Sequence, residues 1–327
     1  MKAVVCEELG GPEKLRYMDV PDPALSPGQV LIDVRAIGVN FPDNLIIQGL
    51  YQEKPALPFV PGMELSGVVA GIGDGVSEFA IGDRVVSTTG TGAYCEQVAV
   101  EARRCIRLPD SLGFNEAAGL MCVYGTSMHA LKQRGNLQAG ENLLVLGAAG
   151  GVGLSAVQIG KAMGARVIAG ASSAEKLALA KANGADELVD YGGGDLKDQV
   201  KALTDGKGAD VIYDPVGGDL FDQSVRCINF NGRLLIIGFA SGTIPKLPAG
   251  LALVKGMSAV GVFWGRFALK EQPELHNENM QILFDWLEQG LVAPHIDEIM
   301  PLSHAAQALQ KIADRKVQGK LLLRPDD

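Results

Sequence analysis

The segment at residues 143–153, which reads LLVLGAAGGVG, constrains this chain more than any other feature. It predicts an apolar strand, a glycine-rich turn and a helix start, the context of a dinucleotide-binding fingerprint. Read as GxGxxG, the pattern has Ala148 in the first position, followed by Gly150 and Gly153. Gly150 would let the backbone approach a pyrophosphate, and Gly153 would let the helix pack against the strand. The phosphates would lie at the helix N-terminus. A glycine-rich turn without a ligand is the alternative interpretation.

The surrounding pattern favours the dinucleotide site. Strands are predicted at 143–146, 166–169, 187–189, 210–213, 233–237 and 258–263, and helices at 153–163, 174–183, 196–203 and 220–228. Strands that alternate with helices in this way form right-handed crossovers and a parallel sheet.

The first third of the chain has a different sequence pattern. Short β-branched runs at 2–6, 29–37, 66–70, 84–87 and 96–100 are separated by Gly and Pro, without helices between them. They predict an antiparallel barrel or sandwich. After the α/β region, we expect helices at 275–289 and 303–311, the latter capped by Ser303, and a last strand at 320–323.

Composition excludes several classes of protein. The chain has 29 basic and 38 acidic residues, a net charge of −9, so nucleic acid is not an expected main partner. The five cysteines form no CxxC pair, which indicates reduced thiols in a cytoplasmic protein. The longest uncharged stretch, 142–160, contains glycines, Ser155 and Gln158 and is not predicted to cross a membrane.

The residues after the second strand of the α/β region select the cofactor. An NAD enzyme usually has Asp or Glu there to bind the ribose 2′-hydroxyl. This chain instead has Ser172 and Ser173, which can donate hydrogen bonds to a 2′-phosphate, and Lys176, which can supply positive charge. We therefore predict NADPH, although Lys176 alone could be an ordinary solvated lysine.

At this point the chain resembles a known family, the zinc-independent medium-chain dehydrogenases/reductases of the quinone oxidoreductase (zeta-crystallin-like) branch. The resemblance covers essentially the whole length. Its landmarks are GVNFPD at 38–43, GLY at 49–51, PGMELSG at 61–67, GDRV at 82–85, AAGGVG at 148–153, DPVGG at 214–218 and IGFASG at 237–242.

The resemblance implies an α/β fold class: a Rossmann doubly wound parallel sheet plus a GroES-like β-rich catalytic domain. Residues 1–121 and 265–327 would form the catalytic domain, and 122–264 the Rossmann domain, with the active cleft at their junction. The implied cofactor-binding residues are Ala149, Gly150, Gly151, Val152, Gly153, Ser172, Ser173, Lys176, Tyr191, Gly238 and Phe239.

The zinc ligands of the related metal-dependent branch are missing. That branch has Gly-His-Glu where this chain has Gly62, Met63 and Glu64, and it has a lobe of four closely spaced cysteines. We therefore predict no metal. The histidines at 129, 276, 295 and 304 show no metal-ligand spacing, and surface or capping positions are expected for them.

Without a metal, hydrogen bonds must polarise the carbonyl group of the acceptor. The resemblance makes Tyr51 the candidate proton donor, because a tyrosine in a similar context has this role in enoyl-thioester reductases. It also suggests that Asn40 anchors substrate or ribose and that Thr126 lies against the nicotinamide. Tyr51 as an aromatic lid and Asn40 as a turn cap are the structural alternatives.

Three functions remain open. The first is an NADPH-dependent reductase of quinones or α,β-unsaturated carbonyls, a cytoplasmic homodimer paired through the strand at 258–263. The second is a 2-enoyl-thioester reductase, which would need a basic patch for CoA or carrier phosphates. The third is an NADPH-binding protein without significant turnover.

Overall fold

The computed structural model describes residues 1–326 of the chain. Contacts divide the chain into two compact units, unit 1 (Met1–Cys122 with Pro294–Asp327) and unit 2 (Val123–Ala293). Unit 2 thus ends at Ala293, whereas the sequence analysis ended it at residue 264. The physical reason is the backbone of Ala293, which exchanges two hydrogen bonds with the amide of buried Gln158, at 2.9 and 2.8 Å.

The described residues contain strands and helices throughout. The strands are β1 (Lys2–Val5), β2 (Arg16–Asp19), β3 (Gln29–Val39), β4 (Glu64–Ile72), β5 (Arg84–Thr88), β6 (Gln97–Glu101), β7 (Cys105–Arg107), β8 (Asn142–Leu146), β9 (Arg166–Ala171), β10 (Glu187–Asp190), β11 (Ala209–Asp214), β12 (Ile228–Ile236), β13 (Ser258–Gly261), β14 (Ile296–Pro301) and β15 (Lys320–Arg324).

The helices are α1 (Phe41–Ile47), α2 (Phe114–Ala118), α3 (Met121–Met128), α4 (Gly151–Ala162), α5 (Ala174–Ala182), α6 (Leu196–Leu203), α7 (Asp219–Cys227), α8 (Ala249–Lys255), α9 (Trp264–Arg266), α10 (Pro273–Glu288) and α11 (Ala305–Ala313). Two π-helical turns, His129–Arg134 and Phe267–Glu271, directly follow α3 and α9. No helix in residues 1–326 is long and apolar enough to cross a membrane.

Unit 1 is built on a seven-stranded sheet. The strand order is β14-β15-β3-β4-β5-β7, with β6 also paired to β3, and every pair except β14–β15 is antiparallel. The strands alternate inward and outward residues, and the inward set forms one apolar core that includes Ile32, Leu65 and Leu323. The antiparallel β-rich domain predicted from the first third is present, and the last strand of the chain completes its sheet.

Unit 2 contains a six-stranded parallel sheet in the order β10-β9-β8-β11-β12-β13. Counted from β8, this is the 3-2-1-4-5-6 order of the Rossmann fold. Its central strands β8 and β11 are mostly buried, since helices cover both faces of such a sheet. The predicted parallel sheet and its strand–helix alternation are therefore confirmed.

Some local predictions differ from the structure. Helix α1 was not predicted, because it has only seven residues and carries a proline in its first turn. Ser303 does not cap a helix: it lies inside the 3₁₀ turn Leu302–His304, and α11 begins after His304 without a side-chain cap. Its hydroxyl lies 3.4 Å from His304 Nδ1 instead.

Candidate active site

The fingerprint turn lies where the strand order of the parallel sheet reverses. Strands β8 and β11 are neighbours there, and their successors run outward in opposite directions. Ligands of open α/β sheets bind at the carboxyl ends of the strands at this switch point. Residues 147–150 connect β8 to α4, so this turn occupies that position.

Two glycines give the turn its tight shape. Gly147 has a φ of +59°, a conformation that favours glycine. A Cβ at Gly153 would lie 2.1 Å from the carbonyl oxygen of Gly147, so only glycine allows α4 to pack this closely. At Gly150 a Cβ would lie 3.5 Å from the same oxygen, an ordinary contact. Gly153 thus serves packing, and Gly150 leaves the face of the turn open.

The start of α4 presents free backbone donors. Gly150 precedes the helix in an extended conformation and provides no side-chain cap. The N–H groups of Gly151, Val152 and Gly153 lie in the first turn, where helices have no internal partners for them. Together with the helix dipole, these donors can hold an anion, and the assignment of this turn to a pyrophosphate stays a prediction.

Buried hydroxyl groups hold this helix start in place. Ser127 on α3 and Ser155 on α4 both donate to the carbonyl oxygen of Val152 at 3.0 Å. The two hydroxyls are 2.8 Å apart, and Tyr213 OH from β11 lies 2.8 Å from Ser127 Oγ. Thr126 precedes Ser127 on α3. Its helix is therefore fixed to the fingerprint helix.

The carboxyl end of β9 is polar and lacks an acid. Ser173 Oγ accepts a hydrogen bond from the backbone N–H of Lys176 at 3.4 Å and caps α5. Its hydroxyl hydrogen remains a donor. Tyr191 follows the neighbouring strand β10, and its ring lies 3.3 Å from a Cβ built on Gly170. The structure thus brings Tyr191 to the end of β9, beside the start of the segment that contains Ser172, Ser173 and Lys176.

Asp190 ends the neighbouring strand β10 and makes a hydrogen bond within its own loop. Its Oδ1 accepts this hydrogen bond from the backbone of Gly192 at 2.8 Å. Residues 172–174, which directly follow β9, contain no Asp or Glu.

The loops after β11 and β12 lie together at the same edge of the sheet. Asp214 Oδ1 accepts from the backbone of Val216 and Gly217 at 2.8 and 2.9 Å, and burial raises the pKa of this carboxyl. The N–H of Ala240 donates to Pro215, and a Cβ on Gly217 would lie 3.0 Å from the ring of Phe239. Gly238 and Phe239 therefore lie beside the switch point.

Tyr51 belongs to unit 1 and follows α1. It is half-buried, and burial raises the pKa of its phenol above the ordinary value. The nearby Cys122, Glu53 and Asp43 raise it further. Tyr51 is therefore protonated at neutral pH and can act as a hydrogen-bond or proton donor.

Asn40 lies in a buried polar network. Its amide nitrogen donates to Glu64 Oε1 at 2.8 Å and to the carbonyl oxygen of Gly38 at 3.2 Å. Its Oδ1 accepts from Lys320 Nζ at 2.6 Å. The side chain is thus fully engaged inside unit 1, and its role as a substrate or ribose anchor stays a prediction.

Glu64 is the hub of that network. Besides Asn40, it accepts hydrogen bonds from Lys320 Nζ at 2.5 Å and from the backbone N–H of Cys122 at 2.6 Å. Gly38 makes room for it, since a Cβ there would lie 2.1 Å from Glu64 Oε1. Glu64 thereby links strands β3, β4 and β15 to the start of α3.

The sequence analysis missed the lysine of this network. Lys320 is only 3% exposed, although it opens an apolar strand at the end of the chain. A charged residue that begins the run KLLLR was the available signal, but its partners lie more than 250 residues away.

The donors needed for zinc do not come together in the described part of the chain. Met63 is buried, and residues 1–326 contain no group of three or more His, Cys, Asp or Glu side chains that could hold a metal ion. The expectation of surface histidines is wrong for His129 and His276. Both are buried, because α9 and the π-helical turn that follows it bring the rings of Trp264 and Phe267 against them.

Comparisons with known proteins agree with this architecture. The family model "Alcohol dehydrogenase GroES-like domain" matches residues 26–110, and "Zinc-binding dehydrogenase" matches residues 151–284. The rat (Rattus norvegicus) "Quinone oxidoreductase-like protein 2" is 39% identical over 98% of this chain and 91% of its own length.

Solved structures show the same fold. The quinone oxidoreductase of Pseudomonas syringae pv. Tomato DC3000 has a TM-score of 0.92 and 36% identity, with 99% of each chain covered. The Escherichia coli quinone oxidoreductase complexed with NADPH has a TM-score of 0.92 and 30% identity, over 99% of this chain and all of that one. The chain therefore belongs to the quinone oxidoreductase branch of the medium-chain dehydrogenase/reductase family.

Proposed function

We propose that this protein is an NADPH-dependent oxidoreductase that reduces a quinone or an α,β-unsaturated carbonyl compound without zinc. The observation that carries the proposal is the switch-point turn with Gly150 and Gly153, next to a serine-rich β9 end that lacks an acid. The relative from Escherichia coli was solved with NADPH, which supports the same cofactor here.

The residues of unit 2 fit this cofactor. The backbone of Ala149 to Gly153 would hold the pyrophosphate, and the tight space at Gly153 is the packing that this motif requires. Ser172, Ser173, Lys176 and Tyr191 would surround the 2′-phosphate, and Thr126, Gly238 and Phe239 would contact the nicotinamide end. When bound, NADPH supplies the hydride.

Tyr51 is the proposed proton donor. When hydride adds to the β-carbon of an enone, the electron pair moves to the carbonyl oxygen. The Tyr51 hydroxyl would hydrogen-bond that oxygen and give its proton to the enolate, and the phenolate would regain a proton from solvent.

One experiment tests the proposal directly. Purified protein is incubated with NADPH and a panel of quinones, enals, enones and enoyl-CoA thioesters, with and without a strong chelator. We expect turnover with quinones or enones that survives chelation. A preference for enoyl-CoA would indicate a thioester reductase. NADPH binding without any turnover would indicate a non-catalytic protein. Loss of zinc together with activity would indicate a metal enzyme.

The cofactor preference is tested separately by calorimetry. A charge-assisted contact to the 2′-phosphate is worth about 1.5–3 kcal/mol, so NADPH should bind roughly tenfold more tightly than NADH or better. Lys176→Ala should narrow that difference, and Lys181→Ala, on the same helix, serves as the control. Equal affinity of the native protein for both cofactors would contradict the preference.

We also propose a homodimer in the cytoplasm. Strand β13 lies at the edge of the parallel sheet, and the apolar side chains Phe230, Leu253 and Val254 nearby are 69%, 84% and 70% exposed. A Cβ built on Gly256, which ends α8, would lie 3.5 Å from the Phe230 ring, so α8 and this phenylalanine lie close together. Exposed apolar groups beside an open sheet edge favour pairing with a second copy.

A further inference from the structure

Asp43 is a carboxyl group that is completely buried in unit 1. It lies in the first turn of α1 and is 0% exposed. Its Oδ2 accepts two hydrogen bonds, from the backbone N–H of Asn40 and from Tyr94 OH, both at 2.9 Å. Its Oδ1 receives no hydrogen bond from residues 1–326. Both donors thus face one oxygen, and the other oxygen has no donor to stabilise a negative charge.

The charged groups around Asp43 do not favour a second anion. Lys320 from β15 is the cation of this region, and its ammonium group donates to Glu64 and Asn40. Glu64 from β4 supplies a carboxylate, and its charge raises the pKa of Asp43. If Asp43 were also ionised, three buried side chains would carry a net negative charge.

The remaining titratable neighbours of Asp43 also favour its neutral form. Tyr94 and the thiol of Cys122 are buried, and burial raises both pKa values well above normal, so neither compensates a charge. Burial raises the pKa of Asp43 to about 7, although the hydrogen bonds from Asn40 and Tyr94 and the charge of Lys320 lower it.

Asp43 is also electrostatically linked to Tyr51. Tyr51 follows α1, the helix that carries Asp43, and after burial and the charges of Cys122 and Glu53, a negative charge on Asp43 adds to the rise in the pKa of the Tyr51 phenol. An ionised Asp43 would therefore make the Tyr51 proton harder to donate, and it would oppose the negative charge that develops on the acceptor oxygen.

We propose that Asp43 is a positioning residue that works as a neutral carboxylic acid in the same segment as Tyr51, and that its ionisation weakens proton donation to the acceptor. This inference rests on the proposed reductase function. Asp43 forms no bond to substrate and transfers no proton: it only sets the field in which Tyr51 donates.

The test is the pH dependence of kcat/KM with NADPH and cyclohexenone, compared between native protein and Asp43→Asn. Native activity should fall by about tenfold or more between about pH 6 and about pH 9, as the carboxyl group ionises. The asparagine side chain has nearly the shape of the protonated acid and cannot ionise, so the variant should stay within about twofold over this range. Benzoquinone, which needs less proton donation, should show a shallower fall in the native protein.

A second variant gives a directional check. Tyr94→Phe removes a hydrogen bond that favours the charged form of Asp43, so the alkaline fall should move to higher pH. The proposal is overturned if Asp43→Asn keeps the native pH profile, or if it folds with the native melting temperature and is inactive at every pH. An unchanged profile in Tyr94→Phe also counts against it.

Infrared spectroscopy separates this inference from the proposed function. The carbonyl stretch of a protonated carboxylic acid should be present in native protein at about pH 6, disappear by about pH 9 and be absent from Asp43→Asn. This measurement needs no acceptor. If no acceptor is reduced but the band titrates, the proposed function is wrong, whereas the assignment of Asp43 as a neutral acid is supported. If native protein and variant have identical spectra at about pH 6, that assignment is wrong.

Discussion

The ammonium nitrogen of Lys320 lies 2.5 Å from Glu64 Oε1, and the two side chains are 4% and 0% exposed. Removing one partner of such a pair leaves an uncompensated buried charge, which typically costs about 3–5 kcal/mol. We therefore expect Lys320→Met to lower the free energy of unfolding by about that amount, measured by urea titration.

The double variant provides the control. Lys320→Met combined with Glu64→Gln removes both charges, so it should recover a large part of the lost stability. If the double variant is as unstable as the sum of the two single variants, the pair does not act as a unit.

Gly150 and Gly153 should respond differently to alanine, although both belong to the fingerprint. A methyl group at 153 would lie 2.1 Å from the Gly147 carbonyl oxygen, which is a clash. A methyl group at 150 would lie 3.5 Å from the same oxygen, which is an ordinary van der Waals contact. Gly153→Ala should lower both the melting temperature and NADPH affinity. Gly150→Ala should weaken NADPH binding by about tenfold or more, with a melting temperature close to native. Fluorescence titration and thermal unfolding measure the two effects, and equal melting temperatures for both variants would contradict this assignment.

Local sequence patterns predicted the Rossmann sheet because the spacing of apolar residues within each element differs between strands and helices. The fingerprint turn and the missing acid after β9 are also local, so both could be located from a few adjacent residues. Helix α1 is too short to show a period, and Pro42 in its first turn obscured it.

The network around Glu64 could not be predicted in the same way. Its members Asn40, Glu64 and Lys320 come from both ends of the chain and meet only in the folded sheet, where β15 pairs with β3. The burial of Asp43 beside Tyr94 and of His129 beside Phe267 likewise depends on residues distant in sequence. Periodicity reports which face of an element is apolar, but it does not identify a polar side chain that folding encloses.

Tyr51→Phe tests the proposed proton donor. Loss of a positioned acid costs about 10²–10⁴-fold when proton transfer limits the reaction, so kcat for enones should fall by at least ~10-fold. Quinones are already electrophilic and should lose less, and NADPH affinity should stay nearly native. If the variant keeps full enone activity, Tyr51 has only a structural role, and Thr126 or water is the donor.

The proposed dimer can be tested at its exposed apolar surface. Leu253→Asp and Phe230→Asp place charges among residues that are 84% and 69% exposed, so they should not disturb the core of unit 2. Light scattering should give a dimer mass for native protein and a monomer mass for the double variant. A control charge at Leu188, 37% exposed on the opposite edge strand β10, should leave the dimer intact. A native monomer at micromolar concentration would contradict the proposal.

The last prediction concerns the two buried histidines of unit 2. His129 stacks on Phe267 with ring centroids 3.8 Å apart, and His276 packs edge-on against Trp264 at 5.4 Å. Burial lowers the pKa of both imidazoles to about 4, so they are neutral in the folded protein, whereas unfolded histidine titrates near pH ~6.5. The unfolded state therefore binds more protons between these values, and stability is lost as the pH falls through this window.

Between about pH 7.5 and about pH 5.5, the free energy of unfolding of native protein should fall by about 1–1.5 kcal/mol more than that of His276→Gln, measured by urea unfolding. Asp43 titrates in the same range with the opposite sign, but it is present in both proteins and cancels in the difference. Parallel pH dependences for the two proteins would show that His276 already carries its proton in the folded state.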